Sequence, residues 1–131
     1  MNIERFLFYC RIAPRYKGYH YLRYAIQILS EMEDMYCLTK DIYPQIARKF
    51  NTSTTVVEHN IRTVANKLFH EHKDILKALF GYDLTKRPSN SQFIDALAFA
   101  YKEASRNPKL LHNPLDDVNI CSVFPNFDKV I

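Results

Sequence analysis

Five polar side chains in the stretch TSTTVVEHNIRTVANK are spaced for one kind of chemistry. Thr55, Glu58, His59, Arg62 and Asn66 recur at steps of three, one, three and four, so a helix would carry them on one face. Side chains of these kinds read base edges in the major groove: Arg bonds guanine, Asn bonds adenine and Glu bonds cytosine. We therefore expect Thr55, Glu58, His59 and Arg62 to be base-reading residues. Arg48 and Lys49 come just before, where a preceding helix would end, and Lys86 and Arg87 precede a further helix start. Such cations meet phosphates and fix register without reading sequence. Each residue also has a plainer use. Arg62 pairs with Glu58 at i,i+4 on a solvated helix, which contributes little. Glu58 closes a capping box with Thr55. Arg48 and Lys49 complement a helix dipole.

Other chemistries are poorly served. Two glycines, Gly18 and Gly81, leave no glycine-rich phosphate loop or dinucleotide fingerprint. Cys10, Cys37 and Cys121 are odd in number and far apart, so they form neither a disulfide framework nor a metal knuckle. His70 and His72 do not share a helical face, and His20 and His112 are distant, so we expect no metal site. No Ser or Cys stands with His and a carboxylate at converging spacing. The expectation is a binding protein with no catalytic residues, no cofactor and no small-molecule substrate. The nine tyrosines, four of them between Tyr16 and Tyr24, fit amphipathic packing better than a base-stacking platform.

The elements that must position the polar face are helices. Apolar spacing predicts a helix over 3–12, ended before Pro14, and a longer one over 19–36 with Tyr21, Leu22, Ala25, Ile28, Leu29 and Met32 inward. A third helix spans 39–50 and is opened by Thr39 or by Pro44; proline suits a first turn and not an interior, so we expect a short helical turn before Pro44 and a regular helix after it. Asn51 is a candidate left-handed turn residue. Helices over 54–70, 73–80 and 91–105 follow, with Gly81 closing the fifth and Ser89 with Gln92 opening the sixth as a capping box. Residues 39–70 thus read as a helix-turn-helix, with Ala47 at the crossing and Phe50, Val57 and Ile61 seating the second helix.

At 131 residues, 47% hydrophobic and 24% charged, the chain suits one all-α domain with a core rather than two domains or a disordered segment. Residues 1–106 form that six-helix domain with a charge balance of +5. Residues 107–131, with a balance of −1 and three prolines, read as an irregular C-terminal arm. The net charge of +4 is compatible with nucleic acid. The start, MNIERFLFYCRIAPRY, is neither a signal peptide nor a membrane span, so a cytoplasmic protein without a membrane partner is expected.

The runs KGYHYLRYAI, LTKDIYPQIARKFNTSTTVVEHNIR, LFGY and RPSNSQFI, in this order, resemble one family. It is the C-terminal effector domain of the stage-zero response regulator that starts endospore formation in Bacillus- and Clostridium-type bacteria. The resemblance covers roughly residues 3–105. It implies a six-helix DNA-binding transcription regulator whose recognition helix reads a TGTCGAA-like box in double-stranded DNA, as a homodimer on tandem sites. Glu58 and Arg62 match base-contacting positions of the family, whereas His59 and Val56 stand where it carries arginines and Thr63 where it carries histidine. A shifted or weakened box preference is the consequence. The family's usual polypeptide also has a phosphoacceptor receiver, and this sequence opens at the effector, so control by phosphorylation in cis is not expected. The competing expectation is an antagonist, or an interaction module that pairs with the full-length regulator. The arm after Arg106, with Val118, Ile120, Val123, Phe124 and Phe127, is the candidate contact between two copies.

Overall fold

A computed structural model describes residues 2–32 and 37–106. The arm over 107–131, and with it Cys121 and His112, lies outside the described residues. Six α-helices carry the fold: α1 (Ile3–Tyr9), α2 (Lys17–Glu31), α3 (Tyr43–Lys49), α4 (Thr54–Glu71), α5 (Lys73–Phe80) and α6 (Asn90–Arg106), with a π-helical turn at Leu38–Ile42 before α3. The described residues contain no strand. The protein is all-α.

The helix ends follow from local chemistry. Asn2 caps α1, its side-chain oxygen accepting from the Arg5 amide at 2.8 Å. The helix stops at Tyr9, earlier than the apolar spacing predicts, because Arg11 turns left-handed at φ 61. Its amide bonds Phe8 O and the Ile12 amide bonds Leu7 O, a Schellman closure with arginine where glycine is usual. Proline is therefore not what ends α1. α2 begins two residues earlier than expected and closes at Met32. Before α3 the chain takes a π turn, since Pro44 has no N–H for a continuous α-helix. The Gln45 side chain donates to Asp41 O at 2.7 Å and satisfies one carbonyl there.

α3 and α4 form the helix-turn-helix. Asn51 takes φ 52, its amide bonds Arg48 O, and the Thr52 amide bonds Ala47 O, so a second Schellman closure makes the turn. Ser53, not Thr55, is the N-cap of α4; its hydroxyl accepts from the Val56 amide at 3.2 Å. The expected Thr55–Glu58 capping box does not form, because Thr55 already lies inside the helix. Gly81, at φ 84, closes α5, and Ser89 with Gln92 forms the predicted reciprocal box at 3.1 Å each way.

The core gathers Phe6, Leu7, Leu22, Ile26, Ile46, Ile61, Leu68, Leu76, Phe93, Ile94 and Leu97, all essentially inaccessible. α2 packs against both α4 and α6 and is the central support. The crossing of α2 on α4 is made at Gly18. A Cβ there would meet the Asn60 carbonyl oxygen at 2.5 Å and Val64 Cγ2 at 2.6 Å. Only a residue without a side chain lets the two backbones approach this closely.

Candidate nucleic-acid interface

Burial divides α4 into two faces. Val57, Ile61, Val64, Ala65 and Leu68 are buried, while Thr55 and His59 are exposed and Glu58, Arg62 and Asn66 are half-buried. The five polar residues therefore share the face opposite the core, as their spacing predicts. Ala47 is buried at the α3–α4 crossing. Phe50, expected as a packing residue, is 37% exposed and packs edge-on against Tyr21 at 5.2 Å and Tyr24 at 6.1 Å. It borders the helix-turn-helix rather than filling its interior.

Within the polar face Glu58 and Arg62 are paired. Arg62 Nε donates to Glu58 Oε1 at 3.0 Å, and its Nη2 bonds both carboxylate oxygens. Hydrogen bonding from Arg62 holds the Glu58 carboxyl below its usual range, opposed by partial burial and aided by the charges of Arg62, His59 and Arg87. Thr63 turns its hydroxyl back to His59 O at 3.0 Å. Val56 stands exposed beside the polar face.

A second element fixes the start of α4. Asn90, in the first turn of α6, donates through Nδ2 to the Glu58 carbonyl and to the Tyr43 hydroxyl, each at 3.0 Å. One amide thus joins α3, α4 and α6 beneath the polar face. Its Oδ1 is buried without a protein partner. Burial raises the pKa of the Tyr43 phenol, which stays the neutral partner of this junction. Neither Asn90 nor Tyr43 was expected from the sequence. An Asn in the first turn of a helix after Arg-Pro-Ser signals only a cap, and its partner is 32 positions away.

The expected phosphate residues take different places. Arg48 and Lys49 are exposed at the end of α3, with the Lys49 ammonium 5.8 Å from the centre of the Tyr24 ring. Arg87 is half-buried in the loop before α6, donates Nη1 to Pro88 O at 3.2 Å, and lies near enough to Glu58 to act on its charge. Lys86 is exposed beside it in sequence. Among the described residues no three His, Cys, Asp or Glu side chains converge as a metal site would require, and no helix is long and apolar enough to cross a membrane.

Residues 3–100 match the family described as sporulation initiation factor Spo0A C terminal. The chain belongs to this family. It is accordingly a DNA-binding domain of a transcription regulator of sporulation initiation, with double-stranded DNA as its partner, and the family is not one of enzymes. The match contains all six helices but for the last residues of α6, and so the whole polar face of α4.

Proposed function

We propose that this domain binds double-stranded DNA sequence-specifically by laying α4 in the major groove. Thr55, Glu58, His59 and Arg62 read base edges, while Arg48, Lys49, Lys86 and Arg87 hold phosphates. The observation that carries this reading is the polar face of α4, which stands outward while the opposite face is locked into the core and its first turns are tied to α6 through Asn90. The target is a TGTCGAA-like box or a variant of it, with two copies side by side on tandem boxes as the productive unit. Its place of action is the cytoplasm, with the chromosome.

Fluorescence anisotropy tests the reading, with a tandem-box duplex and a scrambled duplex of equal length at about 150 mM salt. We expect a preference of about a thousandfold for the box. Equal, weak binding to both would mean that the box has changed, and binding to neither would overturn the reading.

A second reading is supported by the exposed Val56, which offers no donor, and by the pairing that occupies Arg62. In it the domain occupies the boxes of a full-length regulator, or pairs with that regulator, and antagonises it. A reporter in cells carrying the full-length regulator separates the two by sign: activation raises output and antagonism lowers it.

A further inference from the structure

One cleft outside the polar face of α4 collects positive charge. Arg11, Arg15 and Lys67 edge a concavity of about 430 Å3 between the α1–α2 connection and the C-terminal half of α4. Tyr16 stands between two of these cations. The Arg15 guanidinium lies 5.1 Å from its ring centre and donates Nη2 to its hydroxyl at 3.3 Å. The Lys67 ammonium lies 5.6 Å from the same ring centre. Hydrogen bonds from Lys67 and then Arg15 lower the pKa of the phenol. Glu71, at 3.2 Å from Lys67, is the one carboxylate lining the cleft, so three cations face one acid. Arg11 holds its place in left-handed geometry that glycine would take with less strain.

The position of the cleft indicates its ligand. At about 100° per residue, Lys67 lies about 110° round α4 from the centre of the Thr55–His59–Arg62–Asn66 face, and Thr63 lies between. Glu58, with Arg87 near it, lies about 70° round in the other direction. A helix about 10–12 Å across fills a groove about 12 Å wide, so a ridge of phosphates runs along each flank. Arg87 serves one flank. We infer that the cleft between Arg11, Arg15 and Lys67 is a phosphate site for the DNA strand along the other flank of α4. This inference rests on the major-groove reading proposed above.

The test measures affinity against salt for the unaltered chain, the Arg15→Gln/Lys67→Gln double variant and Glu71→Gln, on box and scrambled duplexes. The double variant is expected to weaken binding to both duplexes alike and to reduce the slope of log affinity on log salt by about 0.9 for each phosphate no longer neutralised. Glu71→Gln is expected to tighten binding to both, an increase that damage to the fold would not produce. Unchanged affinity and slope in the double variant, with no gain in Glu71→Gln, would overturn the inference and leave the reading of α4 standing. If the unaltered chain bound neither duplex, both would fall. Inorganic phosphate titrated against the protein alone and followed at the Thr63 and Lys67 amides separates the sources. Saturable shifts that vanish in a double variant binding DNA normally would assign the cleft to a free phosphate compound and overturn the DNA assignment.

Discussion

Arg62 is held by Glu58 in the protein alone, so in the proposed reading a guanine must compete with a carboxylate for it. On that reading, desolvation of the pair on entering the groove would sharpen discrimination, because a wrong base would leave a charged group unpaired. Arg62→Ala should reduce the preference for box over scrambled DNA by about ten- to a hundredfold, as expected when one bidentate arginine–guanine pair is removed, and competition anisotropy would measure it. The stability supplied by the Glu58–Arg62 pair is small, since both side chains are partly solvated. Because the Glu58 pKa is lowered in the folded state, this contribution is present above the ordinary carboxylate pKa and is lost as pH falls through the folded value. Glu58→Gln should therefore lower stability slightly at neutral pH and leave it unchanged in strong acid, which flattens the acid limb of the stability curve. Elsewhere, the Tyr9 hydroxyl is buried without a partner. Tyr9→Phe should leave stability unchanged or raise it by up to about 1 kcal/mol in chemical denaturation; a decrease of that size would show that the hydroxyl is held. Burial pushes the Cys10 thiol far above its ordinary pKa, whereas Cys37 is exposed. Alkylation of the native protein, mapped by peptide, should mark Cys37 and spare Cys10 until the chain unfolds.

Helices α2 and α4 meet at a point no periodicity announces. Gly18→Ala gains helix propensity but drives a methyl group into the Asn60 carbonyl and Val64, and backbone cannot yield as a side chain does. The net cost should be about 1–3 kcal/mol, read as a lowered denaturation midpoint. Asn51→Gly should be nearly neutral and Asn51→Ala should cost about 1 kcal/mol, because only the left-handed turn discriminates between them. The sequence conveyed what is local. Apolar spacing placed the six helices, Asn51 and Gly81 marked left-handed closures, and Ser89 with Gln92 marked a cap. It misplaced the end of α1, because an arginine in left-handed geometry has no sequence signature. It placed the start of α4 at Thr54 but left open a capping box from Thr55 to Glu58, since Ser53, Thr54 and Thr55 all carry the needed hydroxyl. The site was legible only along a single helix. Asn90 beneath α4, and the convergence of Arg15, Tyr16 and Lys67 beside it, arise from packing between segments far apart in the chain.

At the scale of the whole fold, Arg48 and Lys49 lie at the end of α3, Lys86 and Arg87 in the loop before α6, and Arg11, Arg15 and Lys67 beside the C-terminal half of α4, while the exposed side of α4 carries hydrogen-bonding groups. In the proposed reading such a distribution binds any duplex through its phosphates and selects among duplexes through one helix. Raising salt should therefore weaken box and scrambled duplexes with similar slopes while their ratio changes little, as anisotropy at several salt concentrations would show. Whether α4 reads the major groove is tested most directly by interference from guanine N7 methylation, because N7 faces that groove. Box duplexes lightly methylated at N7 would be bound by the unaltered chain and by Arg62→Ala, and the bound and unbound fractions compared. With α4 in the groove, methylation at one box guanine excludes DNA from the fraction bound by the unaltered chain, and Arg62→Ala no longer discriminates at that guanine. Tight box binding unaffected by methylation at any guanine would contradict this and place the domain elsewhere on the duplex.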